Sequence, residues 1–500
     1  MSNTSHNKEP IQPAAENKDI VAKPIPVDNL VTTRHKARIN GVNIAYTVTC
    51  GTIVLKEDGE KEGLREAEKA RATIFFTAYT KDNVKDPAKR PLTFSFNGGP
   101  GSSSVWLHLG LLGPKRVKLD DDGYAGASPY ELVDNDFSLL AETDLVFIDP
   151  VGTGYSRMLD GDKVNEFHNY QRDLESVGEF IRLYTSRHVR WASPKFIAGE
   201  SYGTTRAAGL ANHLQEKYGF YINGLMLIST ALDFSTFRFF PGHDLAHVLF
   251  LPTFAATAWY HRKLDKPMQS KRLRVLLDEV EAFAAGSYSA ALFQGDKLTA
   301  GARAQLVKQI AQYTGLSPAY IEQTNLRINI HRFCKELCRD EDRTVGRLDS
   351  RFKGIDRDAA GENFEHDPSH SNLDGAYAAC LNDYVRRELK FASDTPYKVL
   401  SPLYLSWDFN SSNQHLNVAE PLRKAMSRNP HMKVYVGSGY FDLATPHFAS
   451  DYVTNHMALD KSLQKNIETH YYEAGHMMYI HKPSLVAQAK HLREFVKKAS

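Results

Sequence analysis

Two rhythms of apolar and polar residues divide this chain. Near the start, Val42, Ile44, Tyr46 and Val48 alternate with polar neighbours, the period-two pattern of a half-buried strand. A second run, Thr33 to Ile39, precedes them, and Asn40-Gly41 between the two is a strong hairpin signal. Lys56 to Arg71 reads as a charged connection, followed by a strand over Thr73 to Tyr79. Further on, short apolar runs alternate with helical patterns. Strands are predicted at Leu92–Phe96, Asp144–Asp149, Lys195–Ala198 and Leu225–Ser229, with helices over Tyr170–His188 and from Thr204 to about Tyr218. This βαβ rhythm implies a mostly parallel sheet with helices on both faces, preceded by antiparallel strands.

Phe234 to about Leu400 breaks that rhythm. Helical patterns cover Lys271–Ala284, Ala302–Tyr313 and Tyr320–Cys338, with a polar loop over Gly354–Asp374. The acidic residues of that loop lack calcium-loop spacing and read as solvated. The sheet resumes at Lys433–Val436 and closes at Thr469–Glu473. The expected organisation is an N-terminal disordered arm over 1–31, a core over 32–233, a mainly helical cap insertion over 234–400, and the rest of the core over 401–500. Aromatic residues at the start of the insertion (Phe239, Phe240, Phe250, Phe254, Trp259, Tyr260) wall a pocket or pack a core; the pattern allows either.

Composition adds mainly exclusions. Five hundred residues, 42% of them hydrophobic, suffice for one large domain with an insertion. A net charge of +2 gives no reason to expect nucleic acid or an anionic membrane as partner. Four cysteines are too few for a disulfide scaffold. Cys334 and Cys338 stand four apart but lack a second pair at ligand spacing, so they read as buried thiols and no metal site is expected. The polar N-terminus has no signal-peptide core, and the longest apolar stretch, Val248 to Tyr260, is interrupted by Pro252. The expectation is a cytoplasmic protein, or a secreted or periplasmic one if a leader was trimmed or export is leaderless.

Chemistry concentrates in the turns after strands. Gly199-Glu200-Ser201-Tyr202-Gly203 is a G-x-S-x-G turn between a strand and a helix, the context in which such a serine serves as nucleophile. Asn97-Gly98-Gly99-Pro100-Gly101 follows the strand Leu92–Phe96 and lets backbone N–H groups approach a ligand, as the other half of an oxyanion hole would. Gly152-Thr153-Gly154 lacks a dinucleotide-binding context. Asp442 lies in a glycine-rich turn after Lys433–Val436, and His476 lies in the turn after the last strand. Among twenty histidines and many acids neither is distinctive alone, but the order Ser201, Asp442, His476 is that of α/β-hydrolases.

With those motifs in place, the chain resembles the serine carboxypeptidases, peptidase family S10, in a form of bacterial type. The resemblance runs from roughly Gly41 to the C-terminus, weakly in the cap. It rests on Asn97-Gly-Gly-Pro-Gly-Ser-Ser-Ser104, Asp144-Leu-Val-Phe-Ile-Asp-Pro-Val-Gly-Thr-Gly-Tyr-Ser156, Gly199-Glu-Ser-Tyr-Gly203 and Ala474-Gly-His-Met477. It implies an α/β-hydrolase fold and a cofactor-free enzyme that releases C-terminal residues from peptides or proteins. Ser201 would be nucleophile, His476 general base, and Asp442 the residue that fixes the imidazole tautomer. The N–H groups of Gly99 and Tyr202 would form the oxyanion hole. Asn97, Gly98 and Glu200 would hold the substrate's terminal carboxylate, and Met477 would line the leaving-group pocket.

Three departures accompany the resemblance. Ser102 replaces a usual cysteine, so that disulfide is absent; the spacing around Asp442 is G-x-G-Y-F-D; and a second glutamate that usually partners the one before the nucleophile aligns with Leu111. An esterase or acyltransferase using the same triad is therefore the alternative enzyme, and a non-catalytic binding or stabilising protein the alternative of another class. Residue preference and oligomeric state, including a homodimer, are not legible.

Overall fold

Asn40 and Gly41 both adopt left-handed backbone, with φ of 52° and 74°, and turn strand β1 (Asn29–Ile39) back onto β2 (Val42–Lys61) with Ile39 opposite Val42. The computed structural model describes residues 26–61, 64–159 and 166–500; the expected arm over 1–31 lies mostly outside the described residues, and its last three residues begin β1. The charged stretch Lys56–Arg71, expected as a connection, is instead strand: β2 continues to Lys61 and β3 (Leu64–Lys81) pairs with it antiparallel down to Lys61 opposite Leu64. Charged side chains are compatible with a ladder held by backbone hydrogen bonds, so polarity alone does not end a strand.

β3 joins this antiparallel ribbon to the parallel sheet by pairing with β5 (Asp144–Ile148), Phe76 opposite Ile148. The remaining strands are β4 (Leu92–Phe96), β6 (Lys195–Ser201), β7 (Gly224–Thr230), β8 (Lys433–Gly439) and β9 (Ile467–Tyr472). The order across the sheet is β1-β2-β3-β5-β4-β6-β7-β8-β9, with every pair from β5 to β9 parallel and a short piece, Arg157–Met158, pairing off β3 as a tenth strand. β4, the first strand of the parallel region, lies between β5 and β6, so the strand order reverses there and a ligand crevice forms at the carboxyl ends.

Each central strand is buried on both faces, and successive residues feed opposite cores. Phe196, Ala198, Met226 and Tyr435 point into one cluster with Leu492 and Phe495 of α8 and Tyr377 and Tyr384 of α6. Ile197, Leu225, Leu227 and Val434 point into the other, against Val177 and Phe180 of α1, Ala207 and Leu210 of α2 and Leu422 of α7. These helices are α1 (Tyr170–Arg187), α2 (Tyr202–Tyr218), α6 (Pro368–Arg387), α7 (Ala419–Arg428) and α8 (Lys482–Ala499). The result is an α/β-hydrolase core with helices on both faces of a mixed, mostly parallel sheet.

The insertion has a core of its own. Helices α3 (Leu245–Tyr260), α4 (Leu273–Phe283) and α5 (Ala300–Thr314) bury Phe250, Phe254, Leu276, Val280 and Ile310 together. Phe239, Phe250 and Phe254 belong to that packing, while Phe240 and Tyr260 are exposed. The helix expected over Tyr320–Cys338 is two short pieces, Pro318–Gln323 and Ile330–Glu336, because Asn325 and Leu326 take left-handed backbone between them. Cys334 and Cys338 are buried, unbridged thiols. The end of the loop expected over Gly354–Asp374 is already helical: α6 starts at Pro368, with Asp367 accepting from the Ser369 N–H as its cap. Although α6 lies within the stretch expected as cap, it packs on the main sheet. Among the described residues, no helix is long and apolar enough to cross a membrane.

Candidate active site

The turn after β6 is too tight for side chains at its glycines. A Cβ on Gly199 would stand 2.2 Å from the Gly203 carbonyl oxygen, and one on Gly203 would stand 2.9 Å from the Phe96 carbonyl oxygen. Ser201 itself sits at φ 60°, ψ −128°, immediately before α2. Such backbone costs a non-glycine residue on the order of 1–3 kcal/mol, and it lifts the side chain out of the sheet's end.

The glycine loop after β4 lies directly on this turn. A Cβ on Gly98 would reach within 2.4 Å of the Tyr202 amide nitrogen, so only glycine lets the two backbones approach. Several bonds fix the loop: the Ser102 N–H donates to the Gly98 carbonyl at 3.0 Å, the Ser103 N–H to Val399 at 2.9 Å, and the Ser401 N–H to Gly101 at 2.8 Å. Asp149, at the end of β5, accepts the Ser104 N–H at 2.8 Å, and burial pushes its carboxyl up to about 7. The buried Arg206 of α2 donates to the Asn97 carbonyl at 2.8 Å and to Asp173 at 2.8 Å, holding the strand end against the helix.

His476 approaches from the other side of β6. Ser201 lies opposite Thr230 in the sheet register, and the neighbouring Ser229 hydroxyl donates to the His476 carbonyl at 2.6 Å. The histidine Nδ1 meets Asp442 Oδ2 at 2.7 Å. Asp442 is fully buried and accepts three further bonds: the N–H groups of Ala444 (2.7 Å) and Thr445 (2.9 Å), and the Thr445 hydroxyl at 2.6 Å. Burial alone would lower the His476 pKa; the charge and hydrogen bond of Asp442 outweigh it, and the net shift is upward. Ser201, Asp442 and His476 thus stand at the carboxyl ends of β6, β8 and β9, on one edge of the parallel sheet.

The insertion contributes to this loop. The His476 N–H donates to the Leu348 carbonyl at 2.6 Å, and the Gly475 N–H donates to Asp349 Oδ2 at 3.1 Å. Asp349 is itself held by Arg351 at 2.7 Å, both side chains nearly inaccessible. Nothing in the sequence singles out this segment; a cap residue that anchors a core loop leaves no local signature.

The Glu200 side chain is buried among polar groups. Its Oε1 accepts from Asn97 Nδ2 at 2.9 Å, while Asn97 Oδ1 accepts the Leu107 N–H at 3.0 Å. Burial, offset in part by His476 and by hydrogen bonding, raises the Glu200 carboxyl to about 7. Leu111, the residue aligned with a missing glutamate, is buried in the π-helical turn His108–Leu112. Beside Glu200, along with Asn97, His476 and Asp442, stand two tyrosines, Tyr479 and Tyr377. Met477, next to His476 in the chain, is buried and packs into the core on the α6 face.

A doubly covered parallel sheet with a serine elbow, an Asp–His pair after its last strands and a glycine loop beside the elbow defines an α/β-hydrolase. The sequence model described as serine carboxypeptidase matches residues 59–492, and the chain belongs to that family, peptidase S10. Among curated proteins it is similar to the pheromone-processing carboxypeptidase KEX1 of Saccharomyces cerevisiae, 32% identical over 149 residues, or 28% of this chain and 19% of that protein. It is also similar to serine carboxypeptidase-like 11 of Arabidopsis thaliana, 31% identical over 144 residues, or 28% of this chain and 31% of that protein. These matches span about a fifth to a third of the relatives' lengths. Among solved structures, the KEX1 prohormone-processing carboxypeptidase of S. cerevisiae aligns with a TM-score of 0.55 at 16% identity, covering 90% of this chain and 91% of that one, a likeness of fold.

Proposed function

We propose that this protein is a serine carboxypeptidase that releases residues from the C-termini of peptides through an acyl-enzyme on Ser201. The observation that carries the reading is the 2.7 Å His476–Asp442 pair beside the strained Ser201 turn, in a chain of this family. In this reading Ser201 Oγ attacks the scissile carbonyl carbon while His476 Nε2 takes its proton. Asp442, holding Nδ1–H, fixes the tautomer and stabilises the imidazolium. The N–H groups of Gly99 and Tyr202 receive the oxyanion. Collapse breaks the C–N bond, and His476 returns the proton to the departing amine. Water then repeats the sequence on the acyl-enzyme, regenerating Ser201.

The choice of C-termini rests on the pocket behind the elbow. Asn97, the N–H of Gly98 and neutral Glu200 supply donors for a free carboxylate, and Met477 borders the departing residue. In this reading the helical insertion, which already anchors the His476 loop through Leu348 and Asp349, closes one side of the cleft and limits it to chain ends. An esterase or acyltransferase would use the same triad without those donors; the raised, buried Glu200 carboxyl favours the peptidase, since a neutral acid is a donor and an anion is not. The test compares peptides that differ only in a free or amidated C-terminus. Preference for the free acid, with stepwise loss of terminal residues by mass spectrometry, is expected. Equal rates on both, or early internal cleavage, would overturn the carboxypeptidase reading and leave a general acyl hydrolase.

A further inference from the structure

Behind Ser201 two buried polar atoms face each other closely enough to interact, yet neither reaches full hydrogen-bond geometry with a partner. One is Glu200 Oε2, the other the Tyr479 hydroxyl. Both residues are almost wholly inaccessible, at 3% and 2% exposure. An unsatisfied buried polar group costs about 1–3 kcal/mol, so native proteins keep few, and two together call for an explanation.

Their surroundings show that the arrangement is built. Tyr479 lies in the 3-10 turn Met478–Ile480, three residues after His476. Its ring fills the space beside Gly110, where a Cβ would come within 2.4 Å of the ring carbon Cε2. The Tyr377 hydroxyl reaches the same point at 2.8 Å. Asn97, whose amide already serves Glu200 Oε1, is the third polar neighbour of the Tyr479 hydroxyl. One amide N–H of Asn97, a carboxyl O–H on Glu200 Oε2 and the Tyr479 O–H are thus three neutral donors at one spot. A carboxylate, with two oxygens and about four lone-pair directions, can accept all three.

We propose that Tyr479 is a specificity-determining residue whose hydroxyl donates directly to the substrate's free C-terminal carboxylate, beside Asn97 and Glu200. The inference rests on the carboxypeptidase reading above and adds to it a donor of a different kind. Glu200 donates only while protonated. Burial first, and the charges and hydroxyls around it next, hold the tyrosine proton well above its ordinary value, so Tyr479 donates at every working pH. The titratable groups facing Glu200 are His476, Asp442, Tyr479 and Tyr377, and the tyrosines stay neutral throughout.

The experiment is Tyr479→Phe, which keeps the ring against Gly110 and removes only the hydroxyl. KM and kcat are measured at pH 6 for a free-acid peptide, its C-terminal amide and a matched ester. A hydrogen bond to a charged acceptor is worth on the order of ten- to a hundredfold in binding. KM for the free acid should rise by about that factor, with its kcat and both ester constants unchanged. Ester turnover also reports that the variant is folded. Should the ester fail too, binding of the free acid against the amide by calorimetry, in Ser201→Ala with and without Tyr479→Leu, gives the same comparison with a smaller side chain that has no donor. Unchanged free-acid KM in Tyr479→Phe would overturn the proposal. So would an unchanged KM at pH 6 with a shift only in the pH at which KM rises, since that outcome makes Tyr479 a tuner of Glu200. If wild type fails to distinguish free acid from amide, the carboxypeptidase reading itself is what falls.

Discussion

His476 hangs from the insertion: its backbone N–H donates to the Leu348 carbonyl at 2.6 Å, while its ring Nδ1 is held by Asp442 at 2.7 Å. One residue therefore takes its position from the cap and its orientation from the core.

That attachment can be loosened. A Cβ on Gly475 would stand 2.4 Å from the Asp349 side chain, so Gly475→Ala must push the cap segment away from His476. A loss of about 1–3 kcal/mol of stability is expected. kcat should fall with it, whereas a glycine-to-alanine change at the exposed Gly301, where a Cβ meets nothing, should leave kcat unchanged. Thermal melts and kcat on an ester check both.

Covalent labelling tests the nucleophile. A fluorophosphonate should label Ser201, and Ser201→Ala should abolish both labelling and turnover. His476→Ala should cost a comparable amount, because members of a triad act as a unit and their losses do not add. Wild-type turnover in Ser201→Ala would rule out the acyl-enzyme.

In the proposed mechanism, Asp442 sets the acid limb of the rate profile. His476 must be neutral to accept a proton, and its pKa is raised because the Asp442 interactions outweigh its burial. Ester hydrolysis should therefore fall off on the acid side at a pH above the ordinary histidine value of 6.5. Asp442→Asn removes the charge, which should move that limb downward and cut kcat by about 10⁴. An acid limb that stays in place would mean that His476 is not the base.

In the proposed clamp, Glu200 sets the alkaline limit for peptides alone. Its carboxyl is raised to about 7, mainly by burial. Protonated below that pH it donates to the substrate carboxylate; above it two like charges meet. KM for free-acid peptides should rise as pH passes 7, while KM for esters stays flat. Glu200→Gln, a permanent donor, should flatten the peptide curve. Parallel curves for peptide and ester in wild type would remove Glu200 from substrate recognition.

The same group makes a prediction about stability. A carboxyl whose folded pKa of about 7 exceeds its reference value of 4.5 binds its proton more tightly in the folded state. The resulting stability cost is absent below 4.5, grows between 4.5 and 7, and is fully present above 7. Glu200→Gln, which cannot ionise, should raise Tm relative to wild type at pH 8 but not at pH 4. A Tm difference independent of pH would contradict it.

How much of this is legible in sequence follows from what each feature depends on. The central strands announce themselves because Phe196 and Ile197, or Leu225 and Met226, must both be apolar to feed opposite cores. The elbow is legible because its glycines are demanded by backbone contacts only a few residues away. The ribbon of β2 and β3 is not, since its outer part rests on backbone pairing that constrains side chains weakly. Leu348 and Asp349 are invisible because their partners lie more than a hundred residues away in a different structural layer. Tyr479 is overlooked for another reason: it stands just past the motif that names His476, and only the space beside Gly110 gives its ring a purpose.

Chain order adds a consequence in time. Ser201 and its glycine loop emerge early from a growing polypeptide, but Asp442 and His476 follow only in its last eighth. His476 is also tied to Leu348 and Asp349, so it cannot settle until the intervening helices have folded. In the proposed mechanism, a nascent chain thus carries its nucleophile before the base that would activate it. On the proposed mechanism, acyl transfer would become possible only when translation of the catalytic region is essentially finished.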